Sequence, residues 1–316
     1  MQNISPPLRA RSDRRPRLLV VELWGLGDLA LAMPFLQAAA PAVRVTLLAK
    51  PHAAPLLRRF GADVELIPFT APWTAFSGKY RLHAWPWREI AAVVAQLRQR
   101  RFAAAVSARP DPRDHALMIA AHAGLRLGFP RAGSRGLLTD ALPRPHRPHR
   151  AEHWRALAGR LGFALPPPAT PAKNGNHLVM HTGAGHPVRA WPRERFETLA
   201  GALRADGWRV TMLDDSLRDL DALLDTLAGA DRFVGNDSGP GHLAALLGVP
   251  TFTLFGPQLP ELFAPQHPAA AWLEGAPCPH KPCFDACRFA SPHCLQDTGT
   301  DQVLTALRPW LGRPAL

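Results

Sequence analysis

The sequence predicts an α/β protein made of two parallel-sheet domains. Three observations lead there. Apolar runs of strand length alternate with helix-length segments, the alternation halts at proline-rich text and restarts beyond it, and glycine-containing turns follow strands in both halves. A chain of 316 residues has room for two domains of ordinary size, and with 47% apolar and 20% charged residues each half can bury a core.

In the first half, residues 18–23 read as a buried strand, residues 24–28 (Trp-Gly-Leu-Gly-Asp) as a tight turn, and residues 29–40 as a mostly apolar helix. Residues 43–49 give a second strand, 51–60 a helix and 64–68 a third strand; a helix over 89–101, a strand over 102–107 and a helix over 114–123 follow. Proline-rich text at 143–150 and 166–176 brackets one helix over 151–161 and marks the hinge region. The pattern then restarts: strand 177–180, glycine loop 182–185, helix 193–206, strand 208–213, helix 217–227, strand 232–234, a glycine-rich turn, helix 242–247 and strand 251–255. The predicted organisation is a basic disordered tail over 1–17, a first domain over 18–165, a linker over 166–176, and a second domain over 177–316 that holds a cysteine-rich segment at 278–294.

The net charge of +12 is unevenly placed. Residues 1–176 hold 26 Lys and Arg against 10 Asp and Glu, whereas the remainder holds 11 against 15. A basic half suits an anionic partner, and the absence of a zinc-finger, RNP or helix-turn-helix signature argues against nucleic acid, leaving salt-dependent DNA binding through 1–17 and 126–150 as the weakest reading. The longest charge-free stretch, 238–260, is broken by Gly239, Gly241, Gly248, Pro240, Pro250 and Pro257, so no membrane-spanning helix is expected. The N-terminal apolar run is interrupted by Glu22 and Asp28, unlike a secretory leader, and the expected location is the cytoplasm. Between residues 70 and 88, Trp73, Phe76, Tyr80, Trp85 and Trp87 lie close to Lys79, Arg81 and Arg88. A loop tucked onto the core by its aromatics is the first expectation there, and contact with a glycolipid or membrane interface the second.

Parallel-sheet proteins bind ligands beyond the carboxyl ends of their strands, where helix N-termini and free amides meet. Three loops here hold such positions: Gly25, Gly27 and Asp28; then Thr182, Gly183, Ala184 and Gly185; then Gly235-Asn236-Asp237-Ser238-Gly239-Pro240-Gly241-His242. In the third, glycine amides, the Ser238 hydroxyl and a helix N-terminus would suit a diphosphate, although Asp237 and Ser238 could also serve merely as helix caps.

Residues 235–257, GNDSGPGHLAALLGVPTFTLFGP, resemble the signature of glycosyltransferase family 9, the bacterial ADP-heptose:lipopolysaccharide heptosyltransferases and their relatives. Residues 24–34 (WGLGDLALAMP) resemble the family's first strand-turn-helix, and Trp191-Pro192-Arg193-Glu194-Arg195-Phe196 its Trp-Pro-x-x-x-Phe run. The resemblance covers most of residues 18–307 and implies a GT-B architecture, in which two Rossmann-like domains face each other across a cleft, with acceptor mainly on the first and nucleotide sugar mainly on the second. It further implies inverting, metal-independent transfer with Asp28 as the base that deprotonates the acceptor hydroxyl. Arg189 would be the cation on the departing diphosphate, and Thr182, Gly183, Asp237, Ser238, Gly239, Pro240, Gly241 and His242 the donor-binding residues. The implied partners are a nucleotide-sugar donor, ADP-heptose first, and an anionic lipopolysaccharide-core acceptor, reached by peripheral contact at the inner face of the inner membrane. Asp28 is equally placed to cap the helix that follows it.

The chain departs from the family in three places. Arg189 stands where Lys is common, Gln258 where Thr is usual, and only residues 214–231 separate the strand ending at Leu213 from the Asp-Ser-Gly loop, so about one strand-helix unit of the nucleotide side is missing. That shortening keeps open a second reading, a non-catalytic relative acting as a binding or assembly factor in glycolipid biosynthesis. Cys278, Cys283, Cys287 and Cys294 fall within seventeen residues, a density that suits a structural zinc or iron, although the spacing lacks the C-x2-C knuckle and reduced packing thiols are the alternative.

Overall fold

The computed structural model describes residues 15–61, 63–75, 77–146, 149–170, 174–214, 216–217 and 219–312. The tail expected over 1–17 lies outside them through residue 14, and part of the expected linker, 171–173, does as well. The first lobe runs β1 (Arg17–Glu22), α1 (Leu26–Ala39), β2 (Arg44–Ala49), α2 (Ala53–Phe60), β3 (Val64–Pro68), α3 (Trp87–Gln99), β4 (Ala104–Ser107), α4 (Pro112–Ala120), β5 (Leu125–Gly128), β6 (Asp140–Ala141) and α5 (Arg150–Leu161). Its strands form one parallel sheet in the order β3-β2-β1-β4-β5-β6. The second lobe runs β7 (His177–His181), α6 (Arg193–Ala205), β8 (Arg209–Leu213), α7 (Leu220–Ala228), β9 (Arg232–Asn236), α8 (Gly239–Leu246), β10 (Thr251–Phe255), α9 (Pro260–Phe263), β11 (Ala271–Glu274), α10 (His293–Gln296) and α11 (Thr300–Leu311). Its parallel sheet has the order β11-β10-β9-β7-β8.

Central strands such as β1, β7, β9 and β10 are buried on both faces, which is why they read as continuous apolar runs and not as alternating ones. The first sheet follows the doubly wound order 3-2-1-4-5-6. Among the described residues no strand lies outside β8 in the second sheet, so β8 forms its edge, in keeping with the short interval between Leu213 and the Asp-Ser-Gly loop.

One apolar core lies between the two sheets and belongs to both lobes. Val20, Leu29, Met33, Leu36, Leu47 and Leu56 of the first pack in one continuous cluster with Val179, Leu224, Leu227, Phe233, Leu243 and Val249 of the second. Separate cores cover the outer face of each sheet, one around Phe69, Trp73, Leu97 and Met118, the other around Trp191, Phe196, Phe252 and Leu307. The inner core explains α1, whose apolar residues are distributed all round it: Ala32, Met33, Phe35 and Leu36 are fully enclosed. Close approach of α1 to α8 depends on two glycines. A Cβ on Gly27 would come within 2.7 Å of the His242 ring, and one on Gly239 within 3.0 Å of the Leu26 side chain.

Helix α1 begins at Leu26, three residues before the expected start, because Gly25 is extended (φ −83°, ψ 170°) and its N–H is accepted by Asp28 Oδ2 at 3.3 Å. Helix α4 likewise begins early, at Pro112, where Asp111 accepts the Arg113 N–H at 2.9 Å. The short strands β5, β6 and β11, of four, two and four residues, were not legible in the sequence because each draws its order from the neighbouring strand. No helix among the described residues is long and apolar enough to cross a membrane.

Candidate active site

The carboxyl ends of both sheets open on one cleft of about 840 Å³ between the lobes, within the size range of small-molecule sites. Asp28, Arg189, Asp237, Ser238, Gly239, Pro240 and His242 all line it, so the geometry brings together most of the residues singled out from the sequence. Thr182, Gly183 and Gly241 do not reach its wall. Thr182 is buried with its N–H and Oγ1 both directed at the Leu213 carbonyl, and the Gly183 carbonyl accepts from Asn236 Nδ2 at 3.2 Å. Asn236, fully buried, is the residue that fixes this region: its Oδ1 accepts the Trp191 N–H at 3.0 Å and its Nδ2 also donates to the Thr182 carbonyl at 2.9 Å, tying the second loop to the third.

The first-lobe wall is built from strand ends. Asp28 sits in the first turn of α1 with Oδ2 on the Gly25 N–H and Oδ1 3.3 Å from Arg109 Nη1, so it caps its helix and faces the cleft at once. Arg109, two residues beyond β4, stacks over Trp24 at 4.3 Å. Beneath them Asp114, fully buried, accepts from Trp24 Nε1 at 3.3 Å and Trp73 Nε1 at 3.2 Å, and its burial, reinforced by Asp111, pushes its carboxyl up to about 7. Glu22, the last residue of β1, is pushed up to about 8 by burial and then by the neighbouring Asp28 charge. Lys50 follows β2 and Arg150 opens α5, and both enter the cleft. Burial, with Arg109 as a like charge, lowers Arg150 to about 10; its guanidinium lies over the Phe263 ring at 5.5 Å and its Nε is enclosed without a hydrogen-bond partner.

The second-lobe wall differs from expectation in its charge. Arg189 is held between two carboxylates, Asp285 (Nε–Oδ1 3.0 Å) and Asp237 (Nη1–Oδ2 3.7 Å), and Arg109 is paired with Asp28, so among the described residues the cleft's cations without a carboxylate partner are Lys50, Lys79 and Arg150 on the first lobe. Asp237 is buried, and burial pushes it up to about 6 against the pull of Arg189. Neither candidate cap residue caps α8: Ser238 stands at the N-cap position with no side-chain cap bond, its Oγ donating instead to the Asn236 carbonyl at 3.2 Å. His242, buried and lowered to about 4 by that burial, is a neutral imidazole whose Nδ1 lacks a partner. Gln258 Oε1 is likewise buried and unpaired at the cleft wall. Orphan polar atoms of this kind call for a ligand or water to satisfy them. Leu217, Leu220 and Leu223 form an apolar stretch where the second sheet ends at β8.

Sequence reasoning missed Lys50, Arg109, Arg150, Asp285 and the unpaired Gln258 carbonyl. Lys50 and Arg109 follow strand ends, so the rule that pointed to Asp28 could have found them. Arg150 and Asp285 reach the cleft from distant elements, and only tertiary structure shows it. The four cysteines give the zinc or iron expectation no support. All are free thiols, Cys294 buried and the others half-buried, and no group of three or more His, Cys, Asp or Glu among the described residues is arranged to hold a metal ion. What the segment does supply is Phe284, Asp285 and Ala286 at the cleft wall.

Comparison with known proteins agrees with the loops. The sequence model of glycosyltransferase family 9 (heptosyltransferase) matches residues 217–292. Lipopolysaccharide heptosyltransferase 1 of Pseudomonas aeruginosa is 28% identical over 174 residues, which span 44% of this chain and 49% of that relative, about half its length. The E. coli heptosyltransferase WaaC, solved with ADP, superposes with a TM-score of 0.70 at 19% identity over 93% of this chain and 99% of its own. The E. coli ADP-heptose lps heptosyltransferase II gives 0.68 at 21% identity over 93% and 98%. The chain therefore has the GT-B fold, a pair of Rossmann-like lobes, and over residues 217–292 it is similar in sequence to glycosyltransferase family 9 (heptosyltransferase).

Proposed function

We propose that the protein is an inverting glycosyltransferase that moves a sugar, heptose first among candidates, from a nucleoside-diphosphate donor to a hydroxyl of an anionic lipopolysaccharide-core acceptor, on the cytoplasmic side of the inner membrane and without a catalytic metal. The observation that carries this reading is the placement of Asp28 and of Arg189 with the 237–242 loop on opposite walls of one cleft. Asp28 takes the proton of the acceptor hydroxyl as its oxygen bonds to the anomeric carbon, while the bond from that carbon to the diphosphate breaks on the opposite face. The negative charge that collects on the leaving diphosphate is met by Arg189, with Lys50, Arg109 and Arg150 across the gap. Gln258 Oε1 and His242 Nδ1, unpaired at the wall, are suited to the donor's hydroxyls. Nucleoside contacts fall to the apolar stretch at Leu217, Leu220 and Leu223, which takes the place of the missing strand-helix unit.

The shortened sheet and the neutralised Arg189 favour one rival, a relative that binds glycolipid or its machinery without transferring sugar. Calorimetry with ADP, UDP and GDP sugars separates the two. Saturable binding of ADP-heptose that weakens in Arg189→Ala supports the transferase; no binding of any donor supports the rival.

A further inference from the structure

We propose that residues 79–88 form an interfacial anchor that seats the first lobe on an anionic lipid bilayer beside the mouth of the cleft. The three most exposed large apolar side chains among the described residues are Tyr80 (77% exposed), Leu82 (56%) and Trp87 (53%), all within eight positions of one another. Scattered apolar exposure is ordinary in soluble proteins, but such clustering marks a surface that something covers.

Ring packing and hydrogen bonds tie Leu82 and Trp87 to the core. Trp87 Nε1 donates to the Leu82 carbonyl at 2.9 Å, Trp87 packs on Trp85 and Trp85 on Trp73 with centroids 5.4 Å apart in each case, and Trp73 is buried with its indole on Asp114. This ladder fulfils half of the first expectation for the segment: Trp73 and Trp85 tuck inward, whereas Tyr80 and Trp87 face out. Lys79, Arg81 and Arg88 stand among them, and no Asp or Glu occurs between Glu65 and Glu89.

Amphipathic aromatic rings with a basic surround and no acid fit an anionic bilayer interface, where Trp and Tyr rings sit at headgroup level and the negative surface attracts Lys and Arg. Lys79, with Thr74 and Ala75, also lines the cleft, so the anchor and the site share an edge. An acceptor whose acyl chains stay in the membrane could therefore present its sugar to Asp28. That purpose rests on the transferase reading; the docking itself does not.

The test is cosedimentation of the full chain with vesicles of phosphatidylcholine, with and without phosphatidylglycerol, in the absence of donor. The wild type should partition onto the anionic vesicles only, and less as salt rises. A Lys79→Gln/Arg81→Gln/Arg88→Gln variant should lose roughly a hundredfold in partitioning, from three basic contacts. A Tyr80→Ala/Leu82→Ala/Trp87→Ala variant should lose it comparably while melting at the wild-type temperature. Wild-type binding that ignores lipid charge, no binding at all, or binding that survives both variants would overturn the proposal. So would lipid-free self-association abolished by the apolar variant, which would make the patch a contact between copies. Docking without sugar transfer would remove the transferase reading and leave this one standing.

Discussion

Asp285 is paired with Arg189, the cation that the proposed reading assigns to the donor diphosphate. A carboxylate 3.0 Å from the guanidinium competes with the diphosphate, so removing it should free the cation. Asp285→Ala is expected to bind ADP about three- to tenfold more tightly by calorimetry, the scale of a partly exposed ion pair; weaker binding would show Asp285 to be a ligand contact instead. Gly27 is the second residue with a testable demand. Because an added Cβ would fall 2.7 Å from the His242 ring in a close-packed seam, Gly27→Ala should cost about 1–3 kcal/mol in a thermal or denaturant melt. Combining it with His242→Ala should cost less than the two changes summed, as expected of residues in contact. The glycines of the third loop were read from sequence as room for a phosphate; Gly239, at least, makes room for Leu26.

At the scale of elements, β1 ends in a buried acid, Glu22, raised to about 8, near Asp114, raised to about 7. Both hold protons in the folded chain that the unfolded chain has released by neutral pH, so folding stability falls as pH rises through this range. Buried histidines lowered to about 4, His153 and His242, act in the opposite sense, but only below the ordinary histidine range. Between about pH 6.5 and 8 the acids prevail, and stability should drop by on the order of 1 kcal/mol per pH unit for Glu22 alone. Glu22→Gln should flatten that slope; an unchanged slope would place the proton elsewhere. Much at this scale was legible beforehand. The buried strands announced themselves as apolar runs, and the missing unit beside β8 as a short interval after Leu213. Strands β5, β6 and β11 were not, since two to four residues carry no period of their own and their order comes from the strand next door.

For the whole molecule, the inner core makes the two lobes one folding unit. Leu29, Met33 and Leu36 pack in the same cluster as Phe233, Leu243 and Leu227, so neither lobe can unfold without exposing the apolar face of the other. Ion pairs across the seam, Arg58–Asp221 at 2.6 Å and Arg59–Asp225 at 2.7 Å, are surface pairs worth about 0–1 kcal/mol each and play a lesser part. Scanning calorimetry should accordingly show a single cooperative transition, and two resolved transitions would mean the shared core is not binding the lobes together. The candidate site follows the same logic of scale. Asp28, Arg189 and the 237–242 loop could be named from sequence because each lies where a strand leads into the following helix, with a motif around it, whereas Arg150 and Asp285 enter from a helix start and a cysteine-rich loop that only the assembled molecule brings to the cleft.

Whether the cleft performs sugar transfer with Asp28 as its base is tested most directly by nucleotide release from ADP-heptose and a core acceptor in Asp28→Asn, with donor affinity measured on the same samples. Asn can still accept the Gly25 N–H, so the helix cap survives and only the base is lost. Donor affinity should be unchanged and release should fall by about 10²–10⁴-fold, the usual range for a lost general base. Release at the wild-type rate in this variant would contradict the role assigned to Asp28.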